Sequence, residues 1–243
     1  MTHPTDAGER VLAYAVLDAA RPLSPAVIHN LLDTNLETRE VAGLIVIHSR
    51  LAPQPAAPNL EPLRVFYKVV EQLHARYDIL PLRWGQWFAN PQALARAIAA
   101  DAATYKRRLV RLAGATEMGI RFLAADGQAT SQGEVRSPLD PPGSDSPGRA
   151  FLERRRVRYG MDAAMPGQQR RVETICRESF AGLFREIKTE TAQGADAQVT
   201  IRLYFLIPRT LVARFRQAYT DLQPPAGLQM LLTGPWPPFN FAA

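Results

Sequence analysis

The stretch Val199–Pro208, VTIRLYFLIP, alternates without a break. Val199, Ile201, Leu203, Phe205 and Ile207 fall on one side of an extended chain, and Thr200, Arg202, Tyr204 and Leu206 on the other. Successive side chains of a strand point to opposite faces, so this period of two is the pattern of a strand with one face on a core. Pro208 stops it, since proline donates no ladder hydrogen bond, and opens a helix striped by Leu211, Phe215, Ala218 and Leu222. Pro224-Pro225 closes that helix, and GLQMLLTG follows as a final strand.

Reading upstream, residues 166–191 predict a helix with Val172, Cys176, Phe180, Leu183 and Ile187 on one face, and GRAFLERRRVRYG before it also reads as helical. Residues 126–148 are rich in Gly, Pro, Ser and Asp and lack any period. They cannot bury enough apolar surface to offset ordering entropy, which predicts a mobile loop. TEMGIRFL, Thr116–Leu123, alternates as a strand with Met118, Ile120 and Phe122 facing one way and Glu117 and Arg121 the other. The steps of three and four in Leu94, Ile98, Ala102, Tyr105, Leu109 and Leu112 predict one helix, and ILPLRWGQWF, Ile79–Phe88, a strand broken near Gly85.

The first third repeats the alternation of types. RVLAYAVL is an apolar run. Ser24-Pro25 is a helix start, because serine caps and proline fits the first turn, and that helix runs to about Asp33. REVAGLIVIHSRL holds Leu44-Ile45-Val46-Ile47, a buried strand, and from Asn59 the residues Leu63, Phe66, Val70, Leu73 and Tyr77 share a helix face. The fold class is therefore α+β in two domains. Residues 1–78 form an N-terminal α+β domain. Residues 79–232 form a modified ferredoxin-like domain, once the loop 126–148 and a helical insertion at 149–191 are set aside.

Of the 243 residues, 47% are hydrophobic and 21% charged, which places the chain among ordinary globular proteins. No apolar run approaches the roughly 18 residues that cross a bilayer, and MTHPTDAGER lacks the apolar centre of a signal peptide, so a cytoplasmic protein is expected. The single cysteine, Cys176, has no partner for an internal disulfide or a zinc site and reads as a reduced core residue.

The chemistry-bearing motifs are sparse. His3, His29, His48 and His74 have no metal-ligand spacing, and neither a phosphate-cradling glycine loop nor a G-x-S-x-G turn occurs. We expect no enzyme, no metal, no cofactor and no small-molecule substrate. The formal charge of +6 and the run Arg154, Arg155, Arg156 and Arg158 beside Tyr159 raise an alternative, a basic nucleic-acid-binding module on a ferredoxin-like domain. Against it, none of the strands carries the aromatic pattern of a ferredoxin-like RNA-binding sheet.

Three stretches carry a resemblance: ILPLRWGQWF, the following helix with GATEMGIRF, and LTGPWPPFNF at the end. They resemble the gas vesicle protein F/L (GvpF/GvpL) family, in which an LP-x-R-F-G-T strand, a long helix, a v-E-x-x-v strand and a terminal GPWPPY-S-F recur. GRAFLERRR is similar to that family's G-x-A-Y-L element. Trp84, Gln86 and Phe239 stand where the family usually has phenylalanine, threonine and tyrosine.

The resemblance implies an accessory or minor structural protein of gas vesicles, located in the cytoplasm and on the vesicle. It would bind the hydrophobic wall protein and other accessory proteins during shell assembly. The residues it marks as packing or partner contacts are Leu80, Pro81, Arg83, Trp84, Gly85, Gly234, Pro235, Trp236, Pro237, Pro238 and Phe239. The tail, residues 233–243, is expected as a docked strap packed between the domains. Its prolines fix φ and lack amide donors, so it can lie extended without orphaning buried N–H groups. Trp236, Phe239 and Phe241 are its expected anchors.

Overall fold

The structure, a computed structural model, describes residues 10–21, 23, 35–51, 60–124, 167–193 and 199–242. The expected helix after Ser24, the loop 126–148 and the arginine run at 154–158 lie outside the described residues. Two compact units emerge. One comprises Met1–Glu117, Leu206–Arg209 and Pro235–Ala243, the other Met118–Phe205 and Thr210–Gly234.

In the first unit, β1 (Arg10–Asp18) lies beside β3 (Leu44–Leu51), which in turn pairs with β2 (Leu36–Val41), all antiparallel. Within REVAGLIVIHSRL the expected strand at Leu44–Ile47 lies in β3, and the residues before it make most of a hairpin with it. Ala42 and Gly43 join β2 to β3 with φ of 53° and 76°, the paired positive φ of a two-residue hairpin turn whose twist matches its strands. The other edge of β1 carries β4 (Leu80–Pro81) and β5 (Trp87–Phe88), with Leu80 opposite Val16 and Phe88 opposite Val11.

The register of β1 on β3 shifts between Ala13 and Ala15, a bulge centred on Tyr14. Leu12, Tyr14, Ala15 and Leu17 thereby all join one core with Leu36, Ile47 and the helix α1 (Glu61–Arg76). That helix opens with Glu61 and Pro62 in its first turn and closes with Arg76 in its last, so that Glu61 and Arg76 are charges that suit the two ends of its dipole. It buries Phe66, Val69, Val70 and Leu73, and Tyr14 stacks on Phe66 with ring centroids 5.1 Å apart.

The single helix expected across 94–112 is two. α2 (Pro91–Ala100) is capped by Asn90, whose Oδ1 accepts from Ala93 N at 2.8 Å, and α3 (Ala102–Leu112) begins after Asp101. Asp101 leaves the helical region at φ −108° and ψ 13°, and its carbonyl restarts the ladder by accepting from Thr104 N and Tyr105 N. Both helices pack on the first sheet, where β1 buries seven consecutive residues. The 78/79 boundary expected from the order of elements does not coincide with the units. β4 and β5 complete the first sheet, so residues 79–117 group with the N-terminal unit.

The second sheet has the order β7-β8-β6-β9, from β6 (Ala115–Ala124), β7 (Glu186–Gln193), β8 (Val199–Pro208) and β9 (Leu228–Trp236). The helix expected over 166–191 ends early: α4 spans residues 167–179, Gly182 turns the chain at φ 75°, and 186–193 form β7. Thr189 and Thr191 reach Glu173 and Gln169 on α4, each at 3.0 Å, so the segment follows period two and not the helical stripe. The core of this unit is aromatic. Phe180 stacks on Phe215 of α5 (Val212–Asp221) at 4.3 Å, and Phe205 of β8 packs against both at 5.4 and 5.1 Å. Cys176 is fully buried there, and burial pushes its thiol up to about 12, so it is an inert core residue.

Candidate functional site

The two stretches singled out in the sequence, 80–85 and 234–239, meet on α1. Leu80 and Pro81 are buried where β4 pairs with β1, which fixes the chain that leaves them. Arg83 is exposed, and Gly85 turns the chain at φ 92°, a left-handed conformation with open space around it. The turn lays Trp84 edge-on to Phe66 at 5.3 Å and Trp87 edge-on to Trp84 at 5.7 Å. From the other end of the chain, Phe239 packs edge-on against Tyr67 at 5.4 Å, and Tyr67 against Phe66 at 5.5 Å.

Trp87, Trp84, Phe66, Tyr67 and Phe239 thus form one unbroken path of edge-to-face rings, an arrangement favoured by the ring quadrupole. Phe66 is fully buried, whereas Trp87 is 38% and Tyr67 40% exposed. The path therefore runs from the core to the surface at two places.

The tail is docked on the first unit by hydrogen bonds that local sequence does not signal. Glu117 of β6, only 4% exposed, accepts from Asn240 N at 2.9 Å and from Asn240 Nδ2 at 2.6 Å. Arg111 Nη2 donates to the Phe241 carbonyl. Thr116 Oγ1 donates to the Trp236 carbonyl at 2.9 Å. Pro237 and Pro238, which have no N–H to satisfy, are buried between these contacts, and Phe241 is fully buried. Of the three expected anchors only Phe241 is complete. Phe239 is half-buried, and Trp236 leaves 43% of its surface exposed. Gly234 reaches φ 103° within the last residues of β9, and Pro235 is exposed.

Thr116 is also the end of a directed relay. Arg209 Nη2 donates to His74 Nδ1 at 3.0 Å, and a guanidinium only donates, so Nδ1 is bare and Nε2 carries the proton. His74 Nε2 therefore donates to Thr116 Oγ1 at 3.2 Å, and the Thr116 hydroxyl passes its own hydrogen to the tail. Burial, then the Arg209 charge, lowers His74 from 6.5 to about 4, with Asp78 opposing. His74 is thus a neutral, satisfied core residue and no metal ligand. Among the described residues no group of three or more His, Cys, Asp or Glu side chains has metal-holding geometry.

The sequence marks Trp84 and Phe239 of the aromatic path, but not Trp87, Glu117, Thr116, Arg111 or Asn240. By its alternation in sequence Glu117 falls on the polar side of a strand. Its one available signal is the unbroken run of buried residues from 115 to 120, visible only in three dimensions.

The model of the family described as gas vesicle synthesis protein GvpL/GvpF matches residues 10–243. Gas vesicle protein L of Streptomyces sp. (strain CB03234) is 27% identical over an alignment of 172 residues that covers 67% of this chain, and the chain spans 62% of that relative's length. The crystal structure of gas vesicle protein GvpF from Anabaena sp. PCC7120 superposes with a TM-score of 0.71 at 16% identity, covering 97% of both chains. That of GvpF from Microcystis aeruginosa gives 0.71 at 15% identity, covering 97% of this chain and 100% of the other. At such identities the two structures establish a shared fold.

Proposed function

Because the chain belongs to the gas vesicle synthesis protein GvpL/GvpF family, we propose that it acts in gas vesicle synthesis as a non-catalytic assembly or minor structural protein. It binds the hydrophobic wall protein, and other accessory proteins, while the shell grows. A wall protein with one strongly apolar face needs that face covered until it is added to the shell, or it aggregates. A folded adaptor with exposed aromatic rings on a rigid base meets that need, since aromatic anchors dominate the energetics of protein interfaces.

The observation that carries this reading is the convergence of 80–85 and 234–239 on Phe66 and Tyr67, with Trp87 and Tyr67 of one ring path open to solvent. The same reading makes the second unit a modified ferredoxin-like fold. Its succession β6, α4, β7, β8, α5, β9 and its strand order β7-β8-β6-β9 support that assignment.

The test is co-expression with the hydrophobic wall protein followed by capture of this chain. The two should co-purify through a moderate-salt wash, and Trp87→Ala should lower recovery of the wall protein about tenfold, as loss of an interface anchor does, without changing the melting temperature. Clean separation of the wild-type pair overturns the proposal.

A further inference from the structure

On the first unit, the end of α1 and the strands β1 and β3 line a half-open pocket of about 310 Å³. Its lining is divided. Leu17, Leu23 and Ile45 supply apolar surface, and Arg21, Arg76 and Arg209 supply three guanidinium groups. Two carboxylates, Asp18 and Asp78, are the acids of the lining.

The hydrogen-bond accounting leaves donors in excess. Asp78 is engaged on both oxygens: Oδ2 in an ion pair with Arg21 Nη1, and Oδ1 accepting from Gly114 N at 2.8 Å with Arg209 Nη2 3.6 Å away. Asp18 Oδ1 accepts from Ala20 N at 3.0 Å. Arg209 is held rigidly, its Nε directed to the Ala115 carbonyl at 3.3 Å and its Nη2 to the Tyr77 carbonyl at 2.9 Å and His74 Nδ1 at 3.0 Å. Its Nη1 has no acceptor among the described residues.

Arg76 gives Nη1 to the Gln72 carbonyl at 3.0 Å and has no carboxylate partner among the described residues. Three cations therefore face two acids across an apolar floor; the N–H groups left over are Arg209 Nη1 and the Nε and Nη2 of Arg76, and the latter two are the side of a guanidinium that matches a carboxylate. The volume lies at the small end of ligand sites, which run from about 300 to 1,000 Å³.

The geometry points to a binding site for a carboxylate borne on a short apolar body. Arg76 and Arg209 take the oxygens, and Leu17, Leu23 and Ile45 take the apolar part. A peptide chain ending in leucine and a free N-acylated apolar amino acid both carry this chemistry. Inorganic phosphate has the charge without the body. The site is independent of the ring path and of the assembly role.

The experiment is a titration of the full chain, followed by amide chemical shifts or calorimetry, with N-acetyl-leucine, N-acetyl-leucinamide, inorganic phosphate, and a short peptide ending in leucine as free acid or amide. N-acetyl-leucine should bind saturably and its amide should not. Arg76→Gln, a change at an exposed side chain with no ion pair to lose, should weaken binding about tenfold, the usual effect of removing one charge-assisted pair, at unchanged melting temperature. Tighter binding of the free-acid peptide assigns the site to a chain end, and tighter binding of N-acetyl-leucine assigns it to a small acid. Absence of saturable binding by both acids, equal binding of acid and amide, or phosphate binding as tightly as N-acetyl-leucine overturns the proposal.

Discussion

Glu117 grips Asn240 by both of its nitrogens, with the backbone N at 2.9 Å and Nδ2 at 2.6 Å from the two carboxylate oxygens. This pair, separated by 123 residues in sequence, turns a stiff proline-rich tail into part of the first unit. Bonds to an ionised group contribute about 1.5 to 3 kcal/mol each. Glu117→Ala, which leaves both donors without this acceptor, should lower unfolding free energy by about 3 kcal/mol in urea titration, and Glu117→Gln by less. An unchanged midpoint for the alanine variant would show that the tail is held by its apolar contacts alone.

Those apolar contacts are unequal. Phe241 is fully buried and Trp236 is 43% exposed. Phe241→Ala should therefore cost about 3 to 5 kcal/mol, as large-to-small core substitutions do, and Trp236→Ala under about 1 kcal/mol. Thermal melts of the two variants decide the matter. A larger loss for Trp236→Ala contradicts this assignment of the anchor.

His74 makes stability depend on pH. Its folded value is about 4, below the ordinary 6.5, so between those values the unfolded chain binds a proton that the folded chain refuses. Stability should be complete above about pH 6.5 and fall as pH drops towards 4, with this one group accounting for about 3 kcal/mol of the loss. Comparing the pH dependence of unfolding for wild type and His74→Gln isolates that share. A wild-type slope retained in the variant would place the effect on other groups.

Gly119 faces Thr233 so closely that an added Cβ would lie 2.6 Å from the threonine hydroxyl, with Tyr204 Cδ1 at 3.8 Å. The hydroxyl also donates to the Gly119 carbonyl at 3.3 Å, so it is not free to swing away without losing that bond. Gly119→Ala should destabilise by about 1 to 3 kcal/mol, the range for overpacking. Combining it with Thr233→Ala should recover part of that loss, a non-additivity read from a double-mutant cycle. Strict additivity would mean that the clash is relieved elsewhere.

Much of the fold was legible because it is written in local periods. Val199–Pro208 alternates and is β8. The stripe through Phe66, Val70 and Leu73 is the buried face of α1. Gly85 breaks 79–88 where φ turns positive. Errors arose where two periods compete or a short turn hides inside an apolar run. Ile187 continues the helical stripe of Cys176 and Phe180, yet Gly182 ends that helix and Thr189 and Thr191 pair with α4 as strand residues. Asp101 likewise sits inside a run that reads as a single helix.

By itself the sequence determined the α+β class, most strand and helix positions, the family, and the stiffness of a tail whose prolines need no hydrogen-bond partners. Each of these depends on residues within a few positions of one another. Only the tertiary structure decided that β4 and β5 complete the first sheet, that Trp84 and Phe239 share one ring path, and that a buried carboxylate holds Asn240. Pairing and burial across 100 residues or more depend on which surfaces meet after the chain has folded back. A glutamate on an alternating strand looks the same in sequence whether solvent or an asparagine lies opposite.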